Sequence, residues 1–230
     1  MRDFFTFNGI NSADYGCYVA DANQFDAPAR DVESVNIPGM NGSLTIDNGR
    51  YLNMTLTYSM YTRGDIRTQM MGLRNALTRA SGFQRLEDTY DHNEFYLARY
   101  IDGFTVKQSD RHRAGFTVSF ERKPQRFLKT GEQAITVTNG STLQNDTDQI
   151  AKPLIRAYGT GTITIGGKAL TVSSASGYTD IDCDIQEAYK GSTNCNGNIS
   201  GSFPELAPGS NTITISGFSQ VDITPRWWRI

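Results

Sequence analysis

The stretch at residues 35–60, VNIPGMNGSLTIDNGRYLNMTLTYSM, limits what this chain can become more than any other. Two turn signals follow in quick succession, Pro38-Gly39 and Asn41-Gly42, and beyond them polar and apolar residues alternate with the period of two that marks a strand with unlike faces. Ser43 to Ile46 is expected as a strand, Asp47-Asn48-Gly49-Arg50 as a hairpin turn favouring positive φ, and Tyr51 to Tyr61 as the returning strand. Met54, Leu56, Tyr58 and Met60 then share one face. A strand of that length reaches roughly 35 Å, about twice the usual span, and outruns its hairpin partner. Its remaining N–H and C=O groups need partners, and pairing with a neighbouring chain is the expected solution.

The rest of the chain reads as mainly β. Phe4-Phe5-Thr6-Phe7 leads into the turn signal Asn8-Gly9, and Tyr15 to Val19 reads as another short strand. Residues 65–80 carry the single convincing helical pattern, with Ile66, Met70, Leu73, Leu77 and Ala80 on one face, Asp65 as N-cap and Gly82 at the left-handed C-terminal position. Strands follow near 94–101 and 115–122, the second with Phe116, Val118 and Phe120 inward and ended by Lys123-Pro124. The text then turns polar, with Ala134 to Val137 as a strand within it, which places a domain boundary near 126–134. Domains 1–130 and 131–230 are expected. The second half breaks short strands with turns, Gly166-Gly167 being the strongest hairpin signal, and reads as a compact β-sandwich.

Chemistry is hard to find in this sequence. The net charge is −2, with 16 basic against 15 acidic residues through position 129, so no cation cluster advertises tight nucleic-acid binding. No apolar run approaches the roughly 18 residues of a membrane helix, and the opening MRDFFTFNGI lacks the apolar core of a secretory signal; a soluble intracellular protein with no membrane partner is expected. Cys17, Cys183 and Cys195 have no metal-binding spacing and read as reduced thiols, a Cys183 to Cys195 bridge being the alternative. His92 and His112 lie in polar text with no partner nucleophile. Gly159-Thr160-Gly161 starts like a dinucleotide loop, but Thr164 stands where a third Gly is needed. Asp180, Asp182 and Asp184 alternate with Ile181, Cys183 and Ile185, which fits a strand with one wet and one buried face, or else a calcium site. Adjacent strand residues point oppositely, so one of Trp227 and Trp228 is expected in the core and the other at a surface, where it could stack on a sugar. No catalytic, cofactor-binding or metal-binding residue is assigned.

Several stretches, taken in order, resemble the distal tail protein family of long-tailed, non-contractile bacteriophages, mainly those of Gram-positive hosts. They are FTFNGINSADYGCYV, IPGMNGSLTIDNGRY, GFTVSFERKPQRF, KPLIRAYGTGTITIGG, DIDCDIQEAYKGSTNCNGNISGSFPELAPGSNTITISGF and ITPRWW. The resemblance implies a tail-tube-like N-terminal β-sandwich or barrel with one helix and an extended hairpin, and a galectin-like C-terminal β-sandwich. It further implies a non-enzymatic hub of the virion: a hexameric ring, single or in two stacked copies, that joins the tail-tube protein to a tail-tip protein and lets DNA pass. Such a hub would sit at the phage tail tip after assembly in the host cytoplasm. The hairpin would then be an inter-subunit belt, nominating Ile37, Met40, Leu44, Ile46, Arg50, Tyr51, Met54, Leu56, Tyr58 and Arg63 as interface residues. The chain has no room for inserted carbohydrate-binding modules. The alternatives are a carbohydrate- or receptor-binding module in the second half and, more remotely, a calcium-dependent hydrolase on the Asp180/Asp182/Asp184 strand.

Overall fold

The structure is a computed structural model that describes residues 2–22, 26–110 and 112–230. The chain divides into two compact units, one running to Arg126 with Ile230, the other Phe127–Arg229. The fold is mainly β, with antiparallel sheets throughout and one α-helix.

In the first unit, strands β1 (Phe5–Phe7), β2 (Ile10–Asn11), β3 (Cys17–Ala22), β4 (Arg30–Val35), β5 (Leu44–Tyr51) and β6 (Met54–Arg63) precede helix α1 (Ile66–Arg79). Strands β7 (Gln84–Asp88), β8 (Glu94–Tyr100), β9 (Lys107–Asp110) and β10 (Arg113–Leu128) follow it. The main sheet runs β2-β1-β7-β8-β10-β6-β3. Just ahead of β1, Asp3 bridges to Val19 of β3, whose N–H donates to the Asp3 carbonyl at 2.8 Å, so the sheet curls round until β3 is tied at one point to the chain entering β1.

Alternation fixes which side chains fill this barrel. Leu56, Tyr58 and Met60 of β6 and Phe116, Val118 and Phe120 of β10 all point inward and are buried, in a ladder that pairs Met54 with Arg122 and Arg63 with Arg113 at its two ends. Phe5, Phe7, Tyr58 and Phe120 form an aromatic centre, with Phe5 stacked on Tyr58 at 5.3 Å and edge-on to Phe120 at 5.3 Å. Helix α1 covers the barrel with Met70, Leu73 and Leu77, and the Asp65 carboxylate accepts the Thr68 N–H at its start. Arg122 is wholly buried, its guanidinium 4.7 Å above the Tyr96 ring.

Three expectations from the sequence are corrected here. The long strand finds most of its partners within its own chain: β6 pairs along its whole length with β10 on one side, and over Tyr58–Thr62 with β3 on the other. Asp47-Asn48-Gly49-Arg50 is not the hairpin turn, because β5 runs through it. Arg30 faces Tyr51 and Val32 faces Asp47, so residues 48–50 form a bulge against Asp31. The bulge is turn-like within itself, the Gly49 N–H donating to Asp47 Oδ1 at 2.8 Å with Gly49 at φ 70. The hairpin instead closes at residues 36–43, and its first strand is β4. Finally, β10 continues through Lys123-Pro124. Its ladder with β6 has already ended at Arg122, so the proline takes no donor from that ladder.

The second unit is a sandwich. Strands β11 (Ile135–Val137), β12 (Thr142–Asn145), β13 (Leu154–Tyr158), β14 (Gly161–Ile165), β15 (Lys168–Val172) and β16 (Tyr178–Asp182) come first. They are followed by β17 (Glu187–Lys190), β18 (Thr193–Asn194), β19 (Ile199–Gly201), β20 (Gly209–Ser216) and β21 (Gln220–Thr224). One sheet has the order β11-β21-β13-β16-β17-β18 and the other β12-β20-β14-β15-β19. Ile155, Ile181, Val221 and Ile223 of the first sheet meet Ile163, Ile165, Leu170 and Ile213 of the second in one core. Gly166 and Gly167, both at positive φ, make the two-residue turn between β14 and β15.

Replacing Leu73, which has no exposed surface, with Ala leaves a cavity between α1 and the barrel. The expected cost is about 3 kcal/mol, read as an earlier urea midpoint for the first unit in far-UV circular dichroism, with the m-value unchanged.

Candidate assembly surface

Strands β4 and β5 form a two-stranded sheet of their own, so among the described residues each has an outer edge with no strand beside it. The register sorts their side chains. Val35 faces Leu44 and Glu33 faces Ile46 on one side of the ribbon; Ser34 faces Thr45 and Val32 faces Asp47 on the other. One face is therefore apolar apart from Glu33. Val32, Val35, Ile37, Met40, Leu44, Ile46 and Leu52 are between 37% and 49% exposed, a concentration of large apolar surface that a single copy leaves in water.

The base of the ribbon is held by charge. Arg30 donates from Nε and Nη2 to Asp47 Oδ2 at 3.0 and 2.8 Å and lies 5.1 Å from the Tyr51 ring centroid. Arg50 donates to Asp31 Oδ2 at 2.6 Å. The Asp47 carboxyl is held below the ordinary carboxylate value by the Gly49 N–H and then by Arg30, and Asp31 by Arg50 and then Asn48. These contacts tie the bulge to β4 at two points.

Of the residues nominated from sequence, Ile37, Met40, Leu44, Ile46, Arg50 and Tyr51 lie together on this ribbon. Met54, half-buried, starts β6. Leu56 and Tyr58 are fully buried in the barrel and offer no surface to another chain; the Tyr58 hydroxyl donates to Asp88 Oδ2 at 2.8 Å. Arg63 is exposed at the far end of β6, 5.8 Å from the Tyr61 ring centroid. Sequence reasoning missed Val32, Glu33, Val35 and Leu52. The signal that could have found the first three is the segment DVESV, whose strand character is masked by its two carboxylates.

The other candidate sites resolve into packing. Asp180 and Asp182 lie on a face that is neither wet nor open: both are buried beneath arginines. Arg156 forks onto Asp180 at 2.7 and 2.9 Å and Arg226 onto Asp182 at 2.8 and 2.8 Å, while Asp184 lies past the strand end and pairs with Lys152 at 3.4 Å. No group of three His, Cys, Asp or Glu among the described residues is placed to hold a metal. Of the two candidate surface aromatics, Trp227 is the one that belongs to the sandwich core; Trp228 is half-buried and donates its indole N–H to the Ile150 carbonyl at 3.0 Å. Burial pushes the Cys17 and Cys183 thiols up to about 12, so both are protonated and inert. His92 and His112 are exposed.

No family model matches the sequence, and no curated protein matches it. Solved structures do. The chain is similar to the structure described as "Crystal Structure of SPP1 Dit (gp 19.1) Protein, a Paradigm of Hub Adsorption Apparatus in Gram-positive Infecting Phages", with a TM-score of 0.76 and 14% identity over 97% of this chain and 98% of that one.

The Asp182 carboxyl is pushed up by burial, but the Arg226 hydrogen bonds and charge and the N–H groups of Asp184 and Ile185 outweigh that and hold it below the ordinary value. Because the folded value is depressed, this group stabilises the second unit above the unfolded-state pKa, and the gain is lost as pH falls through the folded value. The melting midpoint of the second unit is expected to be flat from about pH 5 to 8 and to fall below about pH 4. Asp182→Asn is expected to cost about 2 kcal/mol at neutral pH and to flatten the acid limb, as followed by calorimetry. At this level of identity the likeness is one of fold, and the fold it gives this chain from end to end is that of Dit.

Proposed function

We propose that this protein is a structural component of a bacteriophage tail tip: a distal tail protein that forms a hexameric ring and joins the tail tube to the tail-tip, fibre or baseplate proteins. The observation that carries the reading is the β4–β5 ribbon, with its two unpaired edges and its uncovered apolar face, in a chain that shares the Dit fold over its whole length. A ribbon projecting from one copy and lying on a different surface of the next is a heterologous contact, and such contacts close into rings when the rotation between copies permits. Six copies form the ring, singly or as two stacked rings, as part of the virion after assembly in the host cytoplasm. DNA passes through its centre. A net charge of −2 suits that passage, because a strongly basic lumen would retain phosphate. The role is architectural and requires no cofactor. A saccharide-binding reading built on Trp227 and Trp228 is disfavoured, since Trp227 is enclosed in the sandwich core.

The ring reading is tested by mass. Native mass spectrometry is expected to give six or twelve copies of 25.5 kDa. Leu44→Asp with Ile46→Asp places two carboxylates on the apolar face; each buried aliphatic is worth about 1.5–3 kcal/mol, so the pair is expected to dissociate the assembly at micromolar concentration with the circular dichroism spectrum unchanged. A wild-type protein that stays monomeric at high concentration contradicts the proposal.

A further inference from the structure

The ribbon needs a surface to lie on, and the first unit carries a matching one. The segment 101–107 crosses the barrel beside β6 and β10, and Phe104 packs on Phe116 with ring centroids 5.2 Å apart. On one side of Phe104 is a groove of about 560 Å³ lined by Met60, Phe104, Phe116 and Lys107 among others. On the other side, against α1, is a second of about 370 Å³ lined by Leu77, Tyr100 and Arg74 among others. Each lies within the size range of pockets that take drug-sized ligands. The ribbon of the same molecule does not fill them, since Ile37 and Met40 at its tip are 43% and 49% exposed.

We propose that these grooves flanking Phe104 receive the apolar tip of the β4–β5 ribbon from a second copy of this chain. The proposal rests on the ring reading above and names the receiving surface. Charge complementarity favours a second copy as the occupant. Within the ribbon, Arg30 is paired with Asp47 and Arg50 with Asp31, which leaves Glu33 as the carboxylate on the apolar face without an ion-pair partner among the described residues. Each groove carries a base in the same condition: Lys107 at the larger and Arg74 at the smaller are exposed, and neither has a carboxylate partner among the described residues. An apolar ridge with one negative charge thus meets apolar grooves each bearing one positive charge. Glu33 seated against Lys107 or Arg74 would fix the register of Ile37 and Met40 in the grooves. A contact between a ribbon on one copy and a groove on the next uses two different patches, as ring closure requires.

The test uses full-length protein in a Cys195→Ser background, because Cys195 is the half-exposed thiol while Cys17 and Cys183 are buried. Met40→Cys copies are mixed with Thr105→Cys copies and oxidised mildly, with Met40→Cys mixed with Thr160→Cys as the background control. A disulfide-linked dimer on a non-reducing gel is expected in the first mixture well above the control. In parallel, Glu33→Lys and Lys107→Glu are expected to weaken assembly about threefold each, and the two together to restore it, as for an exposed ion pair. Rings that form normally in light scattering, with no cross-link above control and no recovery in the double variant, overturn this inference and leave the ring reading standing. Protein that remains monomeric overturns both.

Discussion

Backbone hydrogen bonding is the constraint on which the rest of this structure depends. Every strand carries a row of donors and acceptors on each side, and a row left unpaired is either solvated or offered to another chain. The barrel of the first unit meets most of this demand by pairing seven strands in one curled sheet, tied across by the Asp3 to Val19 bridge. The second unit pairs its strands within two antiparallel sheets packed over one core, and its edges are short strands. The β4–β5 ribbon meets it only halfway. Each of its strands has one partner, and its apolar face has no core beneath it. A two-stranded ribbon of this kind is marginal on its own in water, and the solvent-exposed ion pairs at its base add little to it.

Much of the fold was legible because local and global signals agreed. The period-three-and-four pattern with Asp65 ahead of it gave α1 nearly residue for residue, and Gly166-Gly167 marked a turn that only positive φ could satisfy. The alternation in β6 sorted Leu56, Tyr58 and Met60 to the core. The errors have specific causes. Asp47-Asn48-Gly49 has the chemistry of a turn because it makes one, but inside a bulge, and nothing local distinguishes a bulge from a chain reversal. Length alone suggested that β6 lacked partners, whereas β10 proved longer still and pairs with every residue of it. The proline that should have cut β10 short lies where the β6 ladder has already ended. Pairing at a distance decides both cases, and pairing is not written in any one segment.

The candidate surface was legible in part. The apolar residues from Ile37 to Ile46 could be named from the hairpin text, but their coherence on one face depends on β4, which the sequence disguises with Asp31 and Glu33. The acidic strand of the second unit shows the converse: the alternation of Asp180 and Asp182 suggested a wet face, and Arg156 and Arg226 turn it into buried ion pairs. Both arginines are distant in sequence from the carboxylates they neutralise: Arg156 meets Asp180 through the β13–β16 ladder, and Arg226 reaches Asp182 from beyond the end of β21. What sequence and structure share is a division of labour. Two units fold on sheets that each cover a core, and a short ribbon carries apolar side chains that cover none.

Amide hydrogen exchange across residues 30–51, followed as a function of protein concentration, tests that division most directly. The account predicts slow exchange in this segment only under conditions where copies assemble, while the amides of Tyr58–Thr62 stay protected throughout, because β3 and β10 flank them on both sides within the chain. Ribbon amides that exchange at one rate in the monomer and in the assembly would contradict it.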